Sequence, residues 1–257
     1  MVRKSCRFIK ECIDMEKKIL FMTACINPNG MSNTALQNVE ERKRQYIHAI
    51  EYYLHHTDFQ ILFVENSGYD LSSLFENAIM QGRLEMLTYA GNQFDRSLGK
   101  GYGEGLIMRY ALSHSKFLKD GSFVIKVSGR HIVKNINQIV SLVSMLRPRK
   151  EWVACDINPK TGGANSDMFI GTIDFYRHFD QYVEHINERE KVWFEHVLYS
   201  AIVAYCKGKR NFVYLPLPLK QEGVSGSMGI QFKHPSCSLY LKHVMKALLY
   251  KLGIRRI

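Results

Sequence analysis

The sequence predicts an α/β domain built on a mostly parallel sheet, because short apolar runs alternate with helical patterns along its first half. Four runs are apolar almost throughout, as strands buried on both faces are, and they cover residues 19–26, 60–64, 84–89 and 123–128. Helical patterns lie between them at residues 38–56, 71–80 and 106–114. We expect helices on both faces of the sheet and ligands at the carboxyl ends of its strands.

The second half of the chain predicts a mixed arrangement. Strand patterns at 152–156 and 168–173 flank a glycine-containing loop at 160–165, a helical pattern covers 193–205, and a last strand pattern covers 212–215. The 257 residues contain no internal repeat and no low-complexity linker, so we expect one domain over residues 1–257. Within it we distinguish a first half at about 19–150, a second half at about 151–235 and an amphipathic helix at about 238–252.

Composition limits the compartment and the partners of the protein. With 35 Lys and Arg against 24 Asp and Glu, the net charge is +11, and such a surface attracts phosphates, nucleic acid or an anionic membrane. The six cysteines occur singly without Cys-x-x-Cys spacing, which favours buried free thiols and a reducing cytoplasm. No run reaches the roughly 18 apolar residues of a membrane span, and the first residues lack a signal-peptide core. We therefore expect a cytoplasmic protein.

A glycine-rich segment, Gly-Lys-Gly-Tyr-Gly-Glu-Gly at 99–105, precedes the helical pattern at 106–114. In a turn of this kind the backbone N–H groups and the helix amino end bind phosphate, which makes Lys100 and Gly101 candidate ligands. The spacing differs from the Gly-x-Gly-x-x-Gly dinucleotide fingerprint. A flexible loop before a helix start is the alternative.

The end of the fourth strand carries the strongest signal for a bound anion. Alternation along a strand places Lys126, Ser128 and Arg130 on one side. Burying these groups beside the apolar start of the strand is costly without an anionic partner, so we predict a diphosphate there. A surface strand end with solvated cations is the alternative.

Other candidates follow later strand ends. Glu65 and Asn66 offer acceptors and an amide for a base or ribose, although a turn cap fits equally. Ser225 and Ser227 lie in a small-residue loop that is able either to close over phosphates or to remain a mobile surface loop. Asp167 and Glu195 are candidate carboxylates for an acceptor hydroxyl, with surface or capping roles as the alternative. The ten histidines show no metal-ligand spacing, so we predict no metal site from them.

Seven short segments, taken in order, resemble the GT-A glycosyltransferases of bacterial lipopolysaccharide O-antigen and capsule assembly, including galactosyltransferase domains. They are Thr-Ala-Cys-Ile-Asn-Pro at 23–28, Glu-Arg-Lys-Arg-Gln-Tyr at 41–46, Val-Glu-Asn-Ser at 64–67, the glycine-rich segment at 99–105, Lys-Val-Ser-Gly-Arg at 126–130, and segments 168–176 and 223–229. The resemblance implies a GT-A-like, Rossmann-type fold and a UDP-sugar donor, whose hexose, galactose favoured, passes to a glycan with retention. It places the base near Thr23, Asn27, Glu65 and Asn66, the diphosphate near Lys100 and residues 126–130, and the acceptor over the second half.

One departure from the family concerns the metal. Most GT-A enzymes carry Asp-x-Asp at the end of the fourth strand to hold Mn²⁺ or Mg²⁺, and this chain has Lys-Val-Ser-Gly-Arg there. Fixed cations also neutralise a departing diphosphate, so we expect a metal-independent enzyme. Asp156 and Asp167 keep a metal possible.

The resemblance implies a lipid-linked acceptor, and the carboxyl-terminal segment has the pattern of a helix that binds a membrane surface. Its apolar side chains share one helical face, flanked by Lys242, Lys246 and Lys251. Such a helix is able to rest on anionic lipid at the inner face of a membrane, or to pack on the domain with its lysines in solvent. Two further function classes stay open, namely a nucleic-acid-binding protein and a nucleotide-binding scaffold without catalysis.

Overall fold

One sheet extends through both halves of the chain, in a computed structural model that describes residues 17–120, 122–209, 211–223, 231–232, 234–255 and 257. The strands are β1 Lys18–Ala24, β2 Gln60–Glu65, β3 Leu84–Thr88, β4 Phe123–Ser128, β5 Ile132–Val133, β6 Val153–Cys155, β7 Ile157–Asn158, β8 Gly163–Ala164, β9 Met168–Thr172, β10 Phe212–Tyr214 and β11 Gln221–Glu222. The helices are α1 Val39–His56, α2 Glu76–Met80, α3 Gly99–His114, α4 Ile136–Leu146, α5 Ile173–Asp180, α6 Phe194–Cys206 and α7 Cys237–Lys251.

The topology confirms the predicted α/β class with a mostly parallel sheet and a mixed second half. Seven strands lie in the order β10-β6-β9-β4-β1-β2-β3. Strands β1 to β4 are parallel, β9 runs antiparallel between β4 and β6, and β10 is parallel to β6. The order reverses between β1 and β4, and a ligand crevice opens at the carboxyl ends of strands at such a reversal.

Two apolar layers form because alternate residues of each buried strand point to opposite faces. Phe21 of β1 and Val124 of β4 pack in the layer that contains α3, α5 and α6. Met22 and Ile125, the next residues along, pack in the layer that contains α1 and α4. Since both faces are covered, the strands need no polar alternation, which explains their continuous apolar runs.

Several helix boundaries differ from the sequence pattern. Helix α1 is close to the prediction and begins where Asn38 accepts a hydrogen bond from the Glu41 N–H at 2.9 Å. The pattern at 71–80 divides into a 3-10 turn, Ser72–Leu74, and the short α2. Helices α4 and α5 were not predicted.

The glycine-rich segment is helical, which corrects the prediction of a turn followed by a helix at 106. Helix α3 begins at Gly99, whose φ of +86° suits glycine. The absent side chains make room for neighbours: a Cβ on Gly103 would lie 2.8 Å from Phe94 Cζ, and one on Gly105 2.7 Å from Val183 Cγ1. Close packing therefore overrides the low helix propensity of glycine.

Helix α7 lies at the β10 edge of the sheet with its larger apolar side chains outward. His243 and Ala247 are buried, and the ring of Tyr250 lies 5.0 Å from that of Phe212. Five exposed side chains form what we term the α7 stripe, and they are Leu241, Val244, Met245, Leu248 and Leu252. The helix does pack on the domain, as the alternative predicted, but through a face other than this stripe, and Lys246 donates to the Tyr214 hydroxyl. Among the described residues no helix has the length and apolarity needed to span a membrane.

Candidate nucleotide and acceptor site

A cavity of about 840 Å³ lies where β1 and β4 end, beside the amino end of α3. The opposite wall comes from the loops around β7 and β8 and from the start of α6. The structure brings eight of the predicted site residues to its surface, and they are Thr23, Asn66, Lys100, Gly101, Ser128, Arg130, Asp167 and Glu195. Asn27, Glu65 and Lys126 are not among the residues that line it, and Ser225 and Ser227 lie outside the described residues.

Lys126 lies beneath the cavity wall. Its side chain is fully buried, and Nζ lies 2.5 Å from Glu104 Oε1 and 2.5 Å from the Ser166 carbonyl oxygen. The rings of Phe169 and Phe194 flank the ammonium group, each with its centroid 5.6 Å away. A carboxylate of the protein thus provides the anionic partner that the sequence argument assigned to a diphosphate.

Glu65 organises the loop after β2. Its carboxylate accepts hydrogen bonds from the N–H groups of Ile26, Ser67 and Tyr69, each at 2.9 Å, and from the Ser67 hydroxyl. Asn27 lies in the loop after β1 and is tied to the loop after β2, since its N–H donates to Ser67 Oγ at 2.9 Å. With these acceptor positions occupied, Glu65 shapes the site from behind.

Asn66 has hydrogen-bonding capacity left for a ligand. It lines the cavity and is only 2% exposed, and its Oδ1 has no hydrogen-bond partner among the described residues. An unpaired buried acceptor costs roughly 1–3 kcal/mol, so a donor group on a ligand is stabilising there.

Arginine side chains give one wall of the cavity its positive charge. Arg130 donates from Nη1 to Gln45 Oε1 at 2.8 Å, and burial lowers the pKa of its guanidinium. Arg42, which we did not predict as a site residue, donates from Nε to the Cys25 carbonyl at 2.9 Å. A half-buried guanidinium binds a diphosphate well because the arriving anion replaces lost solvation.

Burial makes Cys25 a poor nucleophile. It lines the cavity between the ends of β1 and β2, and burial raises the pKa of its thiol to about 12. The nearby Arg42 charge lowers the pKa by less than burial raises it. Because the thiolate is the reactive form of cysteine, covalent catalysis by Cys25 is disfavoured.

Asp167 is paired with a histidine that we did not predict. His131 Nδ1 lies 3.5 Å from Asp167 Oδ1, and both side chains line the cavity. Burial alone would raise the pKa of Asp167, but its interactions with His131, Gln221 and Lys126 lower it to about 2. Neither ring nitrogen of the 6% exposed His131 has a hydrogen-bond partner among the described residues, so the contact with Asp167 is a close approach without a hydrogen bond. The pair offers a permanent carboxylate and a free imidazole nitrogen.

Glu195 is linked to the buried lysine through one residue. Ser166 Oγ donates to Glu195 Oε1 at 2.6 Å, and the Ser166 carbonyl accepts from Lys126. On the other side, Thr23 Oγ1 donates to Glu104 Oε1 at 2.8 Å. One network therefore runs beneath the cavity from the end of β1 to the start of α6.

The cavity carboxylates are engaged with separate partners and do not converge on a cation. Glu188 accepts from the Gly101 N–H at 2.8 Å, and Asp156 accepts from the Tyr214 hydroxyl. Within the described part of the chain, no three His, Cys, Asp or Glu side chains are grouped so as to hold a metal ion. These residues do not fit the divalent cation of an Asp-x-Asp site.

Besides Arg42, cavity residues that the sequence analysis missed include Glu104, His131 and Glu188. His131 directly follows the candidate Arg130, so extending that motif by one residue would have found it. Glu104 lies in the segment taken for a turn, and its role depends on the helix. Glu188 approaches Gly101 across 87 positions of sequence, for which no local signal exists.

No protein-family model and no curated protein matches the chain. Among solved structures it is similar to a protein of Desulfovibrio desulfuricans G20 described as a nucleotide-diphospho-sugar transferase, with 15% identity and a TM-score of 0.45 over 78% of this chain and 80% of that one. A cytidylyltransferase from Leptospira borgpetersenii gives 13% identity and a TM-score of 0.43, covering 94% of this chain and 99% of that one. Mouse xyloside xylosyltransferase 1 gives 9% identity and a TM-score of 0.42, covering 78% of this chain and 85% of that one.

Proposed function

We propose that this chain is a nucleotide-sugar-dependent glycosyltransferase that moves a hexose, galactose favoured, from a UDP-sugar to a growing surface glycan. The observation that carries the proposal is the cavity at the carboxyl ends of β1 and β4, whose lining contains both cations and carboxylates. Cations suit a diphosphate leaving group. Carboxylates in the same cavity suit an acceptor hydroxyl.

The donor side of the proposal uses the residues nearest the strand reversal. Asn66 hydrogen-bonds the base or ribose through its unpaired Oδ1, and Arg130 binds the diphosphate. Lys126 acts through Glu104 and Ser166, whose positions it fixes. Developing negative charge on departing UDP is stabilised by the half-buried Arg130, because a guanidinium held in a poorly solvated wall interacts strongly with an anion.

The acceptor side divides between two carboxylates. A carboxyl with a pKa of about 2 is a weak base, so Asp167 stays ionised and stabilises positive charge or orients a hydroxyl rather than removing a proton. Glu195, held by Ser166 at 2.6 Å, is then the candidate that accepts the hydroxyl proton or positions the acceptor. Retention of configuration and a lipid-linked acceptor complete the proposal.

Calorimetric titration with UDP, first in EDTA and then in Mn²⁺, tests the donor site. We expect micromolar binding in EDTA, since fixed cations replace the metal. Binding only in Mn²⁺ would contradict the metal-independent site, and no binding in either condition would exclude UDP-sugars as donors. UDP binding without transfer from UDP-galactose or UDP-glucose to any glycan would indicate the scaffold alternative.

The variant Arg130→Ala tests the mechanism. We expect turnover to fall at least ten-fold with an unchanged circular dichroism spectrum, because the leaving group loses its cation. Arg177→Ala is the matched control, since Arg177 pairs with Asp120 on the surface and is 53% exposed. Equal activity of the two variants would contradict the assigned role.

A further inference from the structure

Helix α7 is oriented opposite to an ordinary surface helix. A surface helix buries its apolar face and exposes its polar face, whereas the five side chains of the α7 stripe are between 40% and 68% exposed. The face that packs on the sheet includes His243, Ala247 and Tyr250.

Polar contacts hold the helix in this orientation. His243 Nδ1 lies 3.0 Å from the Leu215 carbonyl oxygen, and Lys246 Nζ lies 2.8 Å from the Tyr214 hydroxyl. Turning the helix to bury the stripe would break both contacts and expose the buried His243. The apolar face is thus displayed by a rigid edge of the domain, and contiguous exposed apolar surface marks an interaction site.

The surroundings of the stripe are basic. At 100° per residue, Lys242 and Lys251 lie on either side of it, and the exposed Arg255 follows. Lys251 Nζ donates to the Leu146 carbonyl at 2.7 Å, which brings that end of the helix beside the exposed Arg149 and Lys150.

Acidic groups are absent from this segment of the sequence. After Glu222 the chain contains no Asp or Glu. The neighbouring Glu151 is already paired with Lys209 at 3.2 Å.

We propose that the α7 stripe docks on an anionic lipid surface. An apolar face with lysines along its borders lies in the plane of a membrane, with the stripe among the acyl chains and the cations at the headgroups. A second copy of the chain suits the surface less well. Two stripes packed about a two-fold axis would bring the basic borders together, with no carboxylate on either helix to pair with them.

The docking surface is connected to the cavity. His243 Nε2 lies 3.7 Å from Asp156 Oδ2, and Asp156 also accepts from Tyr214 and lines the cavity wall. Docking through α7 therefore brings the second-half wall of the cavity close to the bilayer. The surface itself does not depend on which donor the cavity binds.

Co-sedimentation with vesicles tests the proposal on the full chain. We expect binding to phosphatidylcholine vesicles that contain 30% phosphatidylglycerol, little binding to phosphatidylcholine alone, and weakening in high salt. The double variant Met245→Glu/Leu248→Glu should bind at least ten-fold more weakly, because it places two charges on the stripe. Both side chains are more than half exposed, 54% and 51%, so the fold tolerates the change.

Leu74→Glu/Met80→Glu is the matched control, with two exposed apolar side chains, 57% and 76%, near the β3 edge of the sheet. This control should bind vesicles like the wild type. Equal binding by the α7 variant would overturn the proposal. A wild-type dimer in light scattering that ignores vesicles and dissociates in the α7 variant would overturn it in favour of a second copy. UDP titration of the α7 variant separates this outcome from the proposed function, since its UDP affinity should be unchanged.

Discussion

Lys126→Met removes one member of the buried ion pair beneath the cavity. The methionine keeps most of the apolar stem between Phe169 and Phe194 but leaves Glu104 without its cation. Breaking a buried pair in this way costs about 3–5 kcal/mol. Because Glu104 is 23% exposed and keeps its bond from Thr23, we expect the lower end, about 3 kcal/mol. In a domain of this size that lowers the melting temperature by roughly 6–12 °C.

Urea unfolding followed by circular dichroism measures the loss of free energy of unfolding. A second variant tests whether that loss arises from the ion pair between Lys126 and Glu104. Lys126→Met/Glu104→Gln contains neither charge, so it should recover at least about 1.5 kcal/mol relative to Lys126→Met alone. UDP titration of Lys126→Met should give a dissociation constant within three-fold of the wild type. Arg130→Ala, by contrast, should weaken UDP binding at least ten-fold.

The opposite pattern would refute this reasoning. If Lys126→Met kept its free energy of unfolding and lost UDP binding, the ammonium would contact the ligand directly. If the double variant were no more stable than Lys126→Met, the free energy of unfolding lost in Lys126→Met would not arise from the broken pair with Glu104.

Three further predictions concern the cavity wall. The free energy by which wild type is more stable than Asp167→Asn should shrink as the pH falls from 4 to 2. The reason is that the folded pKa of about 2 lies below the ~3.9 of an unfolded aspartate; a difference independent of pH would contradict it. Gly129→Ala should cost about 1–3 kcal/mol in urea unfolding, because its Cβ would lie 2.6 Å from the Thr23 carbonyl oxygen. Gly163→Ala, whose nearest contact would be 3.4 Å, is the control, and equal losses would argue against the clash. Asn66→Ala should weaken UDP binding about ten-fold by calorimetry, while unchanged affinity would remove Asn66 from the donor site.

The sheet was largely predictable from the sequence. Strands β1, β2 and β4 are covered on both faces, so each of them is a continuous run of apolar residues that the local sequence reveals. The α/β alternation then placed the carboxyl ends of these strands at one edge, where eight of the predicted residues meet.

The partners of charged residues were not predictable. Alternation put Lys126, Ser128 and Arg130 on one side, but β4 ends at Ser128, and Arg130 turns to Gln45 of α1 while Lys126 faces Phe169 and Phe194 in the other layer. Only tertiary structure supplies Glu104 as the anion that accompanies the lysine. The glycine-rich segment was assigned to a turn because glycine is a poor helix former. Its helical form depends on neighbours as distant in sequence as Val183.

Those glycines also bear on the local stability of the cavity wall. Each costs roughly 1 kcal/mol relative to alanine within a helix, so the first two turns of α3 have little stability apart from their packing. We expect their amide hydrogens to exchange with solvent before those of the turns beyond residue 106, and exchange measured by mass spectrometry would check this. On this expectation, the wall that holds Lys100 and Glu104 unfolds locally more often than the later turns of α3. A ligand that contacted this wall would slow that opening and would draw part of its affinity from completing the helix.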